Sequence, residues 1–195
     1  MWERVAHWLD RIVPVAEEYQ IQVACHPQNP TIGDATYRGV ARILGDARGF
    51  ERLMAIRDSA YHGINFCVGT FSESLRQPAN EIHDVIRYFG TRGKIFNLHL
   101  RNIKGGFGDF VEVFPDDGDV DMLQVLRTLR EVGYGYMVMP DHVPTISDDE
   151  PTQVGFAYTY GYLRALLQTL EAEPEAGAGA PSGHDAEDRP PEHHR

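Results

Sequence analysis

The sequence has few cysteines and lacks long apolar runs. Its two cysteines, Cys25 and Cys67, are too few to build a disulfide framework. An apolar stretch of about 18 residues, the length that crosses a bilayer, is missing, and no signal peptide is evident. These absences favour a reducing, cytoplasmic setting, in which a thiol stays available for metal binding.

Positive charge is also scarce. The 195 residues include 18 Lys and Arg against 29 Asp and Glu, for a formal net charge of −11. Nucleic acid and anionic membrane would be repelled, so we expect neither as a partner. The hydrophobic content of 42% is typical of a globular protein with a core. An acidic ligand would therefore need local positive charge from a metal ion or from a few arginines.

Short apolar segments alternate with helical patterns along most of the chain. The apolar segments are rich in β-branched or aromatic residues and are bounded by Gly, Pro or Asn, as buried strands are. Four strand–helix units in a row predict a parallel sheet with crossover helices, which is half of an eight-stranded barrel. A doubly wound open sheet fits the same pattern, but a glycine-rich phosphate loop does not follow the first strand. The predicted strands are residues 21–26, 63–68, 94–100 and 136–140, and the helices are 49–58, 80–90, 119–133 and 152–171.

Two terminal segments flank these units. The first 20 residues predict an amphipathic helix. The last residues lack the apolar side chains that a core requires, so we expect them to be disordered. The predicted organisation is a folded part, residues 1–171, followed by a disordered acidic tail, residues 172–195. The apolar side of the first helix is expected to carry Val5, Trp8, Leu9, Ile12 and Val15.

Each predicted strand ends at a side chain that can bind a metal ion. The carboxyl ends of parallel strands meet at one mouth of a barrel, where active sites are built. Two imidazoles, a thiolate and a carboxylate suit a divalent ion such as Mn²⁺, Fe²⁺, Co²⁺ or Zn²⁺. One such residue by itself is more often structural, so the prediction depends on their shared position. In chain order these residues are His26, Cys67, His99 and Asp141.

Several segments resemble successive landmarks of the mannonate dehydratases. They read CHPQNP, INFCVGTF, FNLHLRNIKGGF, DGDVDM and MPDH, and the resemblance extends from Trp2 to Leu170. It implies a partial (β/α)₈ TIM barrel of the xylose-isomerase-like type, made of about four C-terminal βα units. It also implies dehydration of D-mannonate, or a related aldonic acid, to 2-keto-3-deoxy-D-gluconate and water in hexuronate (glucuronate) catabolism. The implied cofactor is Mn²⁺, Fe²⁺ or another divalent metal.

The resemblance assigns roles to matching residues. It makes the four strand-end residues the metal ligands and His142 a catalytic acid/base. It places Arg101 and Asn102 near the substrate. The chemistry of a guanidinium suits Arg101, the other predicted catalytic residue, to holding a carboxylate in a two-pronged contact, and an exposed surface arginine is the alternative interpretation. For Glu112 and residues 116–119 we favour a solvated loop that ends in a helix cap over a place in the mouth.

Two positions depart from the family pattern. Residues 26–30 read His-Pro-Gln-Asn-Pro, where the family tends to have His-Pro-Asp-Asp-Pro. Phe156 follows Gly155 where the family has a catalytic tyrosine, and phenylalanine cannot donate a proton. One alternative is therefore a sugar isomerase or epimerase on the same barrel, and another is an inactive metal-binding remnant. Nearby tyrosines that would either replace the missing hydroxyl or pack in the core are Tyr158, Tyr160 and Tyr162.

Four strands cannot close a barrel, and their edges would remain open for pairing. We therefore expect either a fragment of a longer protein or two copies that complete a barrel between them. A homo-oligomer is one of the expected states.

Overall fold

A computed structural model describes residues 1–31, 36–146 and 151–174 of the chain. The elements, in chain order, are α1 (Trp2–Tyr19), β1 (Val23–Cys25), β2 (Thr36–Tyr37), β3 (Val40–Ala41), α2 (Ala47–Ile56), β4 (His62–Cys67), α3 (Val68–Ser72), α4 (Pro78–Gly90), β5 (Ile95–His99), β6 (Asn102–Gly106), β7 (Asp109–Val113), α5 (Met122–Glu131), β8 (Val138–Met139) and α6 (Pro151–Ala172).

Strands β1, β4, β5 and β8 form a parallel sheet in that spatial order. Helices follow each of these strands along the chain, which confirms the predicted alternation of strands and helices. Two antiparallel hairpins, β2–β3 and β6–β7, leave the sheet after β1 and after β5. Because the four sheet strands are parallel, their carboxyl ends lie at one edge, which we call the mouth.

The register between β4 and β5 shifts by one residue in the middle of the pair. Strand β5 contains an extra residue, Phe96, between two consecutive pairs of the ladder. A bulge of this kind changes the direction in which the following side chains point. Here it places Cys67 opposite His99. Without the extra residue Cys67 would lie opposite Leu98, which is fully buried on the other face of the sheet.

The core lies between the sheet and the helices. Phe66 of β4 and Leu98 of β5 are fully buried there. The ring of Phe71, in α3, stacks on that of Phe66 with centroids 4.4 Å apart. Because strand side chains alternate between the two faces, burying these residues directs their neighbours in sequence toward the opposite face. Residues such as Cys67 and His99 are presented at the mouth for this reason.

Helix α1 is confirmed, but only part of its predicted apolar side is buried. Val13 and Ala16 are its buried residues, whereas Trp8 is 63% exposed. Ile12 and Val15 are also exposed, while Val5 and Leu9 pack against the core as predicted. Hydrophobic periodicity finds the more apolar side of a helix, but only the part that a neighbouring element covers becomes buried.

The carboxyl end of the folded part is held by ion pairs. Helix α6 ends at Ala172, and Glu173 pairs with Arg127 at 2.6 Å and with Arg130 at 2.7 Å. The rest of the predicted tail, from residue 175 onward, lies outside the described residues, so its disorder stays a prediction. In the part of the chain that the structure describes, no helix combines the length and the apolar character needed to cross a membrane.

Candidate metal centre

The four residues predicted as ligands come together at the mouth. His26 directly follows β1, Cys67 and His99 end β4 and β5, and Asp141 comes two residues after β8. One nitrogen, sulfur or oxygen atom from each lies within 4.8 Å of the corresponding atoms of the others. Two donors on opposite sides of one ion, each about 2.0–2.3 Å from it, would be about 4–4.6 Å apart. The group is therefore close to the size that a single ion needs.

Each of the two histidines has one ring nitrogen held by a neighbour. His26 Nδ1 lies 2.7 Å from the carbonyl oxygen of Pro27, and His99 Nε2 lies 3.1 Å from Asn65 Nδ2. The other two ring nitrogens, His26 Nε2 and His99 Nδ1, are buried and make no hydrogen bond of good geometry with the described residues, although His99 Nδ1 lies 3.3 Å from Asp141 Oδ1. Buried polar atoms are normally satisfied. Two unsatisfied imidazole nitrogens in the same group fit a bound cation.

Cys67 is fully buried and caps the amino end of α3. Its Sγ accepts hydrogen bonds from Thr70 Oγ1 at 3.1 Å and from Thr70 N at 3.4 Å. Burial raises the pKa of the thiol, but contacts with His26, His99 and Thr70 outweigh burial and lower the pKa to about 6. At neutral pH the side chain is therefore a thiolate, which is the form that binds metals.

His99 and Asp141 form the charged side of the group. Burial lowers the pKa of His99, but contacts with Asp141 and Cys67 outweigh burial and raise it to about 9. His99 Nδ1 lies 3.3 Å from Asp141 Oδ1, and this neighbour lowers the pKa of the Asp141 carboxyl. Without a metal ion at neutral pH, the proton on His99 is the positive charge between the thiolate and the carboxylate.

We expect metal uptake to release a proton from His99. Because the cation must replace this proton, the affinity for Zn²⁺ should rise at least about tenfold per pH unit between the pKa of Cys67, about 6, and that of His99, about 9, and more steeply in the lower part of this range, where His26, whose pKa is also raised, is protonated as well. Below that range Cys67 is also protonated, so the dependence should become steeper. Calorimetric titration with Zn²⁺ in buffers of different ionisation enthalpy measures both the affinity and the released proton. An affinity that stays constant across this range would contradict the expectation.

His142 lies beside the ligand group and is 45% exposed at the mouth. Its Nε2 is 3.4 Å from Asp141 Oδ2, and its Nδ1 is 2.7 Å from Glu112 Oε1. Glu112 belongs to β7 and is mostly buried. The favoured interpretation of Glu112 as part of a solvated loop was therefore wrong, because the β6–β7 hairpin brings its carboxylate against His142.

Arg101 is buried between two carboxylates. Its Nη1 lies 2.6 Å from Glu73 Oε1, and its Nη2 lies 3.1 Å from Glu112 Oε2. Gly69 allows this close packing, because a Cβ there would lie 2.7 Å from Arg101 Cγ. The guanidinium thus links a fully buried carboxylate, that of Glu73, to the carboxylate beside His142. A direct contact between Arg101 and a substrate carboxylate stays a prediction.

Asn102 is fully engaged within the protein. Its Nδ2 donates to the carbonyl oxygens of Pro115 and Val120, and its Oδ1 accepts from the backbone N–H groups of Ile103 and Val120. These four hydrogen bonds use both amide protons and both lone pairs. The geometry supports a structural role that fixes the loop before α5, and a contact with substrate stays a prediction.

Three polar residues that support the site were missed at the level of sequence. Asn65 had a readable signal, because it is a polar residue in an apolar strand, two positions before Cys67 and so on the same face. No comparable sequence signal marks Thr70 or Glu73. Their roles depend on the turn that follows β4 and on Arg101, which is 28 residues after Glu73.

The start of α6 packs beside the loop that follows Asp141, since a Cβ on Gly155 would lie 2.7 Å from Val143 Cγ2. The ring of the next residue, Phe156, lies 6.2 Å from that of Tyr160. Tyr158 donates a hydrogen bond from its hydroxyl to Asp116 Oδ2 at 2.5 Å. Tyr162 is partly buried against the core, which agrees with the packing interpretation for that tyrosine.

Comparison with known proteins gives concordant matches. A family model described as D-mannonate dehydratase (UxuA) matches residues 1–173. The mannonate dehydratase of Thermotoga petrophila is 34% identical over 145 residues, which cover 73% of this chain and 39% of that protein. The mannonate dehydratase of Lachnoclostridium phytofermentans is 29% identical over 177 residues, or 87% of this chain and 48% of the relative. The chain thus spans less than half the length of these curated relatives.

Solved structures agree on the fold. The crystal structure of mannonate dehydratase from Streptococcus suis serotype 2 matches with a TM-score of 0.69 and 25% identity, covering 95% of this chain and 55% of that one. A xylose isomerase domain protein from Planctomyces limnophilus has a TM-score of 0.64 at 16% identity, covering 87% and 55% of the two chains, and shows the fold alone. The predicted fold class, a partial barrel of the xylose-isomerase-like type, is confirmed.

Proposed function

This chain belongs to the mannonate dehydratase family, and from that premise we propose that it carries the metal centre of a hydro-lyase. The reaction would convert D-mannonate, or a related aldonic acid, to 2-keto-3-deoxy-D-gluconate and water, within cytoplasmic hexuronate catabolism. The observation that carries the proposal is the group of four ligand residues whose donor atoms lie within 4.8 Å of one another.

We propose Mn²⁺ or Fe²⁺ as the ion, because a mixed set of nitrogen, sulfur and oxygen donors suits such metals. His26 Nε2, Cys67 Sγ, His99 Nδ1 and a carboxylate oxygen of Asp141 would hold it. When bound, the ion supplies positive charge that stabilises the negative charge that forms on the substrate during proton loss.

His142 is the residue to which we assign proton transfer. Glu112 lies against Nδ1, so Nε2, on the side of Asp141, is the nitrogen that exchanges a proton with the substrate. His142 would take the proton from carbon 2, the carbon–oxygen bond at carbon 3 would break, and the hydroxyl would leave as water after protonation. The resulting enol then becomes the 2-keto acid. Histidine is the side chain that most often serves as general acid or base in enzymes.

Arg101 supports this proposal through Glu112. By pairing with Glu112 Oε2, Arg101 holds the carboxylate whose other oxygen contacts His142. The same positive charge offsets one of the two negative charges beside it, those of Glu73 and Glu112. Arg101 thereby reduces the repulsion that an anionic sugar acid would meet at the mouth.

A sugar isomerase or epimerase is the second candidate function, and Phe156 favours it. The family's catalytic tyrosine would supply an acidic hydroxyl near carbon 3, and the phenyl ring at this position cannot. An enzyme that only moves a proton between neighbouring carbons does not need a group that expels water. In that case the same four residues would hold an ion whose positive charge polarises the substrate oxygens, and His142 would move the proton between the neighbouring carbons.

Product analysis separates the two functions. We expect the purified protein with Mn²⁺ and D-mannonate to produce a 2-keto-3-deoxy acid, visible by NMR as a new methylene group at carbon 3. A chelator should abolish the activity and added Mn²⁺ should restore it. Products that keep every hydroxyl would instead support an isomerase or epimerase. If the metal-loaded protein turns over no member of a panel of sugars and sugar acids, the proposed activity of this chain is contradicted.

Association with further βα units is also part of the proposal. Strands β1 and β8 are at the two edges of the described sheet, and unpaired strand edges favour pairing with added strands. A second copy of the chain is one source of such strands. Light scattering on the preparation used for the assay reports whether the active species is a homo-oligomer.

A further inference from the structure

Two asparagines lie next to the four proposed ligands, on the face of the sheet that carries Cys67 and His99. Asn65 and Asn97 are paired across β4 and β5, two residues before the pair formed by Cys67 and His99. Interior positions of this kind are usually filled by branched aliphatic residues in barrels. An amide costs free energy there unless it is hydrogen-bonded. Both amides therefore need hydrogen-bond partners at these positions.

The two amides form a hydrogen-bonded chain that ends at His99. Asn97 Nδ2 donates to Asn65 Oδ1 at 3.0 Å, and Asn65 Nδ2 lies 3.1 Å from His99 Nε2. This contact occupies the ring nitrogen that points away from the ligand group. The other nitrogen, Nδ1, lies 3.3 Å from Asp141 Oδ1 and has no hydrogen-bond partner of good geometry among the described residues.

We propose that Asn65 is a positioning residue that selects Nδ1 of His99 as the metal-binding nitrogen. The inference rests on the metal site of the proposed function. A neutral imidazole that gives its Nδ1 lone pair to a cation carries its proton on Nε2, and that proton needs an acceptor. The side-chain oxygen of Asn65 is that acceptor once the amide makes a half-turn. The same half-turn at Asn97 preserves the hydrogen bond between the two asparagines.

The other histidine shows the same arrangement with the opposite nitrogen. The carbonyl oxygen of Pro27 holds His26 Nδ1, which leaves Nε2 to face the ligand group. The partner of His26 is a backbone group and cannot be removed by substitution. The partner of His99 is the side chain of Asn65, so its contribution can be measured.

Two substitutions of Asn65 test the proposal through Zn²⁺ affinity. Asn65→Leu removes the acceptor at similar volume, and we expect the Kd for Zn²⁺ to rise about 10–100-fold, the usual effect of losing an outer partner of a metal-bound histidine. Asn65→Asp supplies a carboxylate that accepts the Nε2 proton, so affinity should remain within about threefold of the original. Asn80→Leu and Asn80→Asp, on the exposed surface of α4, are the matched controls.

The protonation pattern of His99 gives a second readout. In the Zn²⁺-loaded protein with ¹⁵N-labelled histidine, NMR should show His99 with its proton on Nε2. In the Asn65→Leu protein this proton should exchange faster with solvent or shift position, while thermal unfolding establishes that the variant is folded. The Asn65→Asp protein should retain the original pattern.

Defined results would overturn the proposal. Unchanged Zn²⁺ affinity in Asn65→Leu would do so, as would a proton on Nδ1 of His99 in the metal-loaded protein. A merely structural role would make Asn65→Asp, which places a charge at this site, as weak as Asn65→Leu or weaker. Protein that binds Zn²⁺ as expected but dehydrates no sugar acid contradicts the proposed function and leaves this inference intact. Protein that does not bind Zn²⁺ contradicts both.

Discussion

The substitution Cys67→Ala is expected to remove metal binding and dehydration together. The thiolate is the fully buried member of the ligand group, and its negative charge contributes to the raised pKa values of both histidines. Its loss removes one donor and the charge that attracts a cation into the site. We expect a loss of metal affinity greater than the roughly 100-fold that removal of an outer partner costs, and no detectable dehydration at micromolar Mn²⁺.

The second cysteine provides the matched control. Cys25 is adjacent in sequence to the proposed ligand His26, but it packs against the core, and burial raises the pKa of its thiol. Cys25→Ala should therefore keep its metal content and its activity. Both variants are compared by metal analysis after dialysis and by assay at fixed Mn²⁺. Full metal retention in Cys67→Ala, repeated in His99→Ala, would refute the site.

The ligand group could be predicted from the sequence because each member follows a local pattern. Each ligand lies at the carboxyl end of a short apolar segment, and in a parallel sheet these ends meet at one edge whatever the details of packing. The pairing of Cys67 with His99 also depends on the bulge at Phe96, which aligns the two residues across β4 and β5. The sequence of β5 has no marker for that bulge, so their direct pairing could not be predicted.

The residues around the ligands were harder to predict because they act through contacts distant in sequence. The β6–β7 hairpin was missed, since Asn102–Gly106 is rich in glycine and lacks the alternation of a strand. Gly108 in its turn and Gly105 within β6 both have a positive φ, where glycine is favoured. Without the hairpin, neither the contact of Glu112 with His142 nor its pairing with Arg101 can be anticipated.

The substitution His142→Asn is expected to lower kcat for dehydration by about 10²–10⁴-fold, the usual contribution of a positioned acid/base group. Asparagine keeps a polar side chain that can contact Glu112, but it cannot exchange a proton. His142 is 45% exposed and stands beside the ligand group, so metal content should be unchanged and KM should change little. Steady-state kinetics with metal analysis of the same samples measures each quantity.

The control for this variant is His7→Asn, which makes the same replacement at an exposed position of α1 and should leave kcat unaltered. The separate effects on kcat and KM test whether His142 transfers the proton. A raised KM with intact kcat would mean that His142 binds substrate without transferring its proton, because a group that acts only in the transition state lowers kcat and kcat/KM equally. Full activity in His142→Asn would assign the proton transfer to another residue.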